Sequence, residues 1–452
     1  MSQPFAVTVI GAASTTFGPK LMRDAVNFSA FEGAEFRLVD VAADRLEIYR
    51  RLFERVAAKA GRKVTIRATT DRREALAGSK YVIISVDRGH YHTWRQDFTI
   101  PNSLGARQVM GELGGPGGIF HSLRQVPLHL AFARDIAELC PQAMVMVCSN
   151  PLNRICQAMR DIGGLTNVVG LCHGCEMAIY LFMPRFMEIP GDDMEITAVG
   201  TNHLTWMLGL HHKHTGEDLY PLFRQKVARL EPNQMPMCRK LMDIYGWFPA
   251  TLDGHAGEYL AFAHEFCGLK GFPFDDSLQA EHNRWEYMRT LADDNAVWES
   301  YERRYGDQLK LSRELRLDDF FAVRSWADTL AGPVIQGIEG PQRTRMPAIN
   351  LPNTGQIANL PAGLFVETPC FVDGTGLYPL AMGALPAPLA AFCRRDLDVC
   401  TATVDAVRAG TRNAILAAAV LDPTCDSIRN TEAIIDKMLE VQAEYFKDTF
   451  RG

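Results

Sequence analysis

The chain has 452 residues, of which 47% are hydrophobic and 22% charged, and it carries a formal net charge of −6. That length is more than one hydrophobic core usually organises, which predicts two domains. The acidic balance and the lack of any Lys/Arg run exclude a nucleic-acid backbone as partner, and no apolar stretch reaches the ~18 residues that a membrane span needs.

The N-terminal "MSQPFAVTVIGAAS" enters a strand at once, without a cationic segment, a long apolar run and a cleavage site, and so does not read as a signal peptide. From there short apolar runs alternate with longer amphipathic ones: strand "FAVTVIG", helix "PKLMRDAVNF", strand "EFRLVDV", helix "RLEIYRRLFERVAAKAG", then strands "YVIISV", "MVMVCSN" and "NVVGLC". This rhythm predicts an α/β fold, with a Rossmann-type doubly wound parallel sheet over residues 1–200. Beyond residue 200 the periodicity loosens. "YGWFPATLDGHAGEYLAFAHEF" and "QAEHNRWEYMRTLADD" read as helical or irregular, and "LPNTGQIANLPAGLFVETPCFVD" as loop and strand. "DVCTATVDAVRAGTRNAILAAAVLDP" and "TEAIIDKMLEVQAEYF" read as helices. Residues 201–452 are therefore expected to form a mixed α+β, helix-rich second domain. Eleven cysteines, an odd number without a small-scaffold spacing, fit reduced thiols in a cytoplasm better than a disulfide framework.

In "VTVIGAASTTFG" Gly11 falls between strand and helix, where a tight turn aims backbone N–H groups at a pyrophosphate. The G-x-G-x-x-G pattern is imperfect, because Ala13 replaces the middle glycine and Ser14 follows it. Asp40 ends the second strand, where a carboxylate accepts hydrogen bonds from both ribose hydroxyls and repels a 2′-phosphate. NAD is therefore expected rather than NADP. The competing reading makes Asp40 a helix N-cap ahead of "VAADRLEIYRR"; the two features together favour dinucleotide binding.

"GLCHGCE", residues 170–176, puts two cysteines and a histidine at the end of the fifth apolar run, and open parallel sheets collect ligands at the carboxyl ends of their strands. A closed zinc site needs four ligands, and no second C-x-x-C follows Cys172 and Cys175. A redox C-x-x-C would open the helix after the first strand. Plain burial remains the alternative for both thiols.

With these residues in view, the sequence resembles the NAD- and divalent-metal-dependent family 4 glycoside hydrolases, a group related in fold to lactate and malate dehydrogenases. The resemblance covers nearly the whole chain. It rests on "VIGAAST", "DRGHYHTWRQDFTIP", "GELGGPGG", "CSNP", "LCHG", "GTNHLTW", "YGWFP" and "LPNTGQIANLPAGLFVETP", with "CHG" and "NH" at their separation the most specific. It implies Cys172 as a thiolate ligand and His203 as an imidazole ligand of Mn²⁺ or another divalent transition metal, with substrate hydroxyls and water completing the sphere. Cys175 keeps the packing reading.

His173 stands where phosphosugar-specific relatives carry Asp or Asn. The resemblance therefore implies an unphosphorylated α-glycoside, and a group that hydrogen-bonds or protonates the leaving oxygen. Asn150 is similar to the residue that binds sugar hydroxyls beside the nicotinamide, although Asn before Pro151 also makes a turn. The family places its C2 base after "YGxFP" as Tyr or Asp, and here Tyr259 and Asp253 stand equal, with His255 as a neighbour of the metal and substrate. Arg88 and Arg95 are similar to the family's arginine pair and are expected to grip a substrate carboxylate, with His90 and His92 as further polar contacts. Glu112 lies in a glycine-rich loop that either covers the substrate or merely turns.

Most glycosidases flank the bond with two carboxylates. The resemblance implies a different route: hydride transfer from C3 to NAD⁺, loss of the C2 proton to the base with Mn²⁺ stabilising the enediolate, elimination of the aglycone, addition of water and return of hydride. The expected substrate is an acidic, uronate-type α-glycoside, with a neutral α-glucoside or α-galactoside as rival. An NAD-dependent sugar or 2-hydroxyacid dehydrogenase, or a non-catalytic nucleotide-binding protein, is the alternative from another class. The family further implies a homodimer or homotetramer and a small-molecule glycoside as partner.

Overall fold

The computed structural model describes residues 4–305 and 329–447. Among the described residues twelve strands form one sheet. Its first part holds β1 (Ala6–Ile10), β2 (Glu35–Val39), β3 (Thr65–Thr69), β4 (Tyr81–Ile84), β5 (Met144–Val147) and β6 (Val168–Gly170). These run parallel in the order β3-β2-β1-β4-β5-β6. Helices Phe17–Asn27 and Ala43–Lys59 follow β1 and β2, as the amphipathic runs predict. Strands β1 and β4 are buried along their whole length, which is why they read as continuous apolar runs. Strand order reverses between β1 and β4, so Gly11, just past β1, sits at the switch point where such sheets bind ligands.

The sheet continues with antiparallel strands: β7 (Met194–Thr201), β8 (Leu204–His212), β9 (Phe248–Pro249), β10 (Thr344–Pro352), β11 (Phe365–Asp373) and β12 (Gly376–Pro379). Their order is β10-β11-β7-β8-β9, with β12 on β11, and β10 joins the parallel part at β6. The expected division at residue 200 thus falls within β7. Packing also crosses it. One hydrophobic cluster joins Val7, Phe36 and Phe53 to Trp285 and Val334; another joins Ile84, Ile119 and Val147 to Val404, Ile415 and Ile435. The late helices Ala387–Ala409, Arg412–Ala419 and Ile428–Val441 agree with the helical reading of that region.

Where the two parts of the sheet meet, a single row of paired residues crosses five strands. Gly170 of β6 faces Asn350 of β10, Asn350 faces Glu367 of β11, Glu367 faces Gly200 of β7, and Gly200 faces Thr205 of β8. No side chain fits at Gly170, because a Cβ there would stand 2.9 Å from the Asn350 Cβ. Just past Gly170 the chain carries Cys172; just past Gly200, in the turn between β7 and β8, it carries His203. His203 has a φ of 62°, a left-handed conformation that His tolerates better than most residues with a side chain.

Candidate active site

Beyond the carboxyl ends of β5 and β6 lies a cavity of about 230 Å³. Its polar lining comes from segments far apart in sequence: Glu112, Asn150, Cys172, His173, His203 and His255. The Asn150 amide donates to Glu112 Oε1 at 2.8 Å. The rings of His203 and His255 meet edge to face with centroids 4.5 Å apart. The Nδ1 atoms of both are buried without a protein partner, and a buried imidazole nitrogen in that condition needs a metal, a substrate atom or water. A thiol beside two imidazoles is a donor set suited to a divalent transition metal. Among the described residues no group of three or more His, Cys, Asp or Glu is placed to hold a metal ion; Cys172 and His203 would supply two ligands, and other donors would have to complete the sphere.

The residues behind this lining set its electrostatics. Burial, with the Glu367 carboxylate adding to it, pushes the Cys172 thiol up to about 12, while the Asn202 amide beside it works in the opposite direction. Burial and then His255 and His173 hold the His203 imidazole well below its usual range. His173 is lowered to about 3 by burial, by the Lys20 ammonium and by His255, so in the protein alone its ring is neutral and offers an N–H. Lys20 is itself buried, on the first helix after the glycine turn. Glu367 accepts from Asn350 Nδ2 at 3.0 Å and from the Thr205 hydroxyl. Burial raises it to about 7 against those hydrogen bonds and one from Asn202.

At the nucleotide turn Gly11 has a φ of 87°, and a Cβ there would stand 2.1 Å from the Ser85 carbonyl oxygen, so only glycine fits. The second helix is capped at Ala42 and not at Asp40, and the Asp40 carboxylate takes two backbone amides. Its Oδ2 accepts from Ala13 N at 3.1 Å, inside the turn, and its Oδ1 from Ala42 N at 3.0 Å, ahead of the second helix. The Ser14 hydroxyl oxygen accepts from Thr16 N and Phe17 N at 3.2 and 3.0 Å. These amides open the helix Phe17–Asn27 and are the kind of group that a pyrophosphate engages.

Comparison with known proteins decides the family. Residues 6–183 match the profile of "Family 4 glycosyl hydrolase", and residues 198–425 that of "Family 4 glycosyl hydrolase C-terminal domain". The chain belongs to family 4 of the glycosyl hydrolases. It is 30% identical to an α-galactosidase of Bacillus subtilis over 92% of each chain. It is 26% identical to an α-glucosidase of Erwinia rhapontici, over 96% of this chain and 97% of that one. A crystal structure of a 6-phospho-α-glucosidase from gut microorganisms, in complex with NAD and Mn²⁺, superposes with a TM-score of 0.81 at 19% identity, covering 98% of this chain and 99% of that one. A malate dehydrogenase of Plasmodium falciparum superposes with a TM-score of 0.51 at 11% identity over 89% and 97% of the two chains, in line with the dehydrogenase-like fold.

In this family 4 enzyme several residues singled out from the sequence stand apart from the cavity lining. The Asp253 carboxylate accepts from Met237 N and Cys238 N, both at 2.9 Å, at the start of the helix Pro236–Tyr245. The Tyr259 hydroxyl donates to the Asn202 carbonyl at 3.1 Å, in a separate small pocket beside Arg154 and Asp396. Arg88 lies over the Tyr445 ring at 5.2 Å, and Arg95 pairs with Asp275. His90 bridges Asp87 and Glu281, and exposed His92 contacts Gln96. Cys175 is buried in a hydrophobic cluster, as its packing reading expects, and all eleven cysteines are free thiols.

Sequence reasoning missed the residues that hold the lining in place. Glu258 is buried and accepts from Glu112 N at 2.7 Å and Leu113 N at 2.8 Å, and Asp422 accepts from Gly115 N at 2.9 Å. Two carboxylates from the second half thus fix the glycine-rich loop that carries Glu112. Glu258 was open to view in "DGHAGEY", and Glu367 in "LFVETP"; the pairing of Glu258 with the amides of Glu112 and Leu113, and of Glu367 with Thr205, each across more than 100 residues, was not.

Proposed function

We propose that this family 4 enzyme hydrolyses an unphosphorylated, neutral α-glycoside, using NAD at the turn of Gly11, Ala13, Ser14 and Asp40 and a divalent metal such as Mn²⁺ at Cys172 and His203. One observation carries the reading: Cys172, His203, His173, His255 and Asn150, spread over some 100 residues of sequence, line one cavity at the carboxyl ends of the strands. The presence of NAD and Mn²⁺ in the 6-phospho-α-glucosidase structure supports it. When bound, NAD takes hydride from a sugar carbon and returns it, while the ion steadies negative charge on the neighbouring sugar oxygens.

The chain's own groups do the rest. Asn150, held by Glu112, orients sugar hydroxyls. Neutral His173 donates its N–H to the leaving oxygen. His255, whose Nδ1 faces no protein partner, takes the C2 proton; Asp253 and Tyr259 are engaged elsewhere by the bonds described above. The α-glucosidase and α-galactosidase relatives support a neutral glycone; the second reading is the uronate expected from Arg88 and Arg95, which α-galacturonidase relatives at 25% identity support. A thiolate ligand and free cysteines suit a reducing cytoplasm.

The test is turnover of α-glucosides, α-galactosides and α-glucuronides with NAD⁺, Mn²⁺ and a thiol reductant. Neutral glycosides are cleaved fastest, and turnover stops when nucleotide or metal is removed. Deuterium at C2 or C3 slows the reaction where chemistry limits it, and His255→Asn abolishes solvent exchange at C2. Activity that survives complete removal of both cofactors overturns the proposal. Stoichiometric NADH accumulation assigns a dehydrogenase instead.

A further inference from the structure

The proposed chemistry uses only the polar end of the cavity. The remaining wall is apolar, with Met177, Phe182 and Phe186 on one stretch of chain and Phe223 and Phe248 on another. These rings form a continuous surface: Phe186 and Phe223 have centroids 5.9 Å apart, and Phe223 and Phe248 5.1 Å. Beyond the polar end, Thr251 is the one polar residue among the described lining. Phe182 and Phe186 are only half-buried, with the Arg185 guanidinium 5.9 Å from the centre of the Phe182 ring.

Ring connectivity ties this wall to the substrate. In a pyranoside C2 lies between C1 and C3, so a sugar that offers C3 to the nucleotide side turns C1 and its aglycone away from the nucleotide. The leaving oxygen, which the proposal places on His173, then points along the stretch of chain that continues from His173 to Met177 and Phe182 in the cavity wall. We propose that the Met–Phe wall is the aglycone site, and that the enzyme prefers α-glycosides of apolar alcohols or phenols to disaccharides. A second sugar placed there would lose hydration at several hydroxyls and find almost no partners for them. The inference rests on the α-glycosidase reading and deepens it.

The experiment is kcat/KM for ethyl, butyl and hexyl α-glycosides of the glycone that is turned over, alongside a disaccharide of that glycone. These leaving alcohols have nearly the same acidity, so the series isolates contact with the wall. We expect kcat/KM to rise roughly two- to fourfold per added methylene, with the hexyl glycoside at least ~10-fold above the disaccharide. Phe182→Asn flattens the rise, whereas Phe182→Leu, which keeps an apolar side chain, preserves it. A flat alkyl series with normal, cofactor-dependent turnover of the ethyl glycoside overturns the aglycone site and leaves the α-glycosidase reading standing. Failure to cleave any member with NAD⁺ and metal present overturns both.

Discussion

The proposed nucleotide turn and the proposed metal seam lie on the same sheet and are assembled in different ways. At the turn, Gly11 to Ser14 and Asp40 belong to one strand–helix–strand unit, and their hydrogen bonds span at most a few tens of residues. At the seam, Cys172 and His203 are brought together by a row of pairs through β6, β10, β11, β7 and β8, and two of those strands arrive from beyond residue 340. A local site survives changes far away. A site built on a long-range row inherits the stability of every strand in that row, and its buried Asn350–Glu367–Thr205 bonds act as its frame.

The largest effect expected from this contrast is at the seam itself. Cys172→Ala or His203→Ala should lower kcat/KM by at least ~10³-fold, since losing a ligand forfeits several kcal/mol of charge stabilisation, while NAD affinity measured by fluorescence stays within about twofold. Glu367→Gln comes next. It keeps the shape and removes the charge behind Cys172, and metal affinity measured by calorimetry should fall ~10- to 100-fold; an unchanged affinity would mean that the row is only a scaffold. Asp40→Ala should do the reverse, weakening NAD about 10-fold, narrowing discrimination against NADP and leaving metal affinity alone. If Asp40→Ala also weakened metal binding, the two centres would not be independent.

The smallest effect concerns His90, which belongs to neither centre and bridges Asp87 and Glu281. Burial lowers its pKa, but the hydrogen bonds to Asp87 and Glu281 outweigh burial and raise it to about 9. A raised histidine stabilises the fold fully below its unfolded value of ~6.5, and that contribution fades as pH climbs toward 9. The side chain is 47% exposed, so screening limits the effect to at most ~1 kcal/mol. Thermal unfolding of the native protein should therefore soften slightly between pH 6.5 and 9, and His90→Gln should flatten that dependence.

The same contrast explains what could be read from the sequence. Strands β1, β2, β4, β5 and β6 and the first two helices were legible because each carries its own periodicity or apolar run. Strand β3, "TIRAT", was missed: it is an edge strand with no buried residue, so it has no apolar run to betray it. The helix Gly115–Leu139 was hidden by its glycine-rich, proline-containing start. The β7–β8 hairpin was seen only as the motif around His203. Resemblance supplied Cys172 and His203 as a pair, but no local pattern announces that Glu367 stands behind one of them, because that depends on register between strands far apart in sequence. Asp253 shows the converse. The sequence offered it as a candidate base, and the structure makes it the acceptor for two helix-opening amides.

The most direct measurement is a Co²⁺ titration of the metal-free protein, followed in the ultraviolet for the charge-transfer band of a thiolate bound to cobalt. One equivalent should produce the band in the native protein, with none in Cys172→Ser and a shifted, weaker one in His203→Asn. A band that persists in Cys172→Ser, or native protein that binds the ion with no band, would contradict a metal centre at the seam.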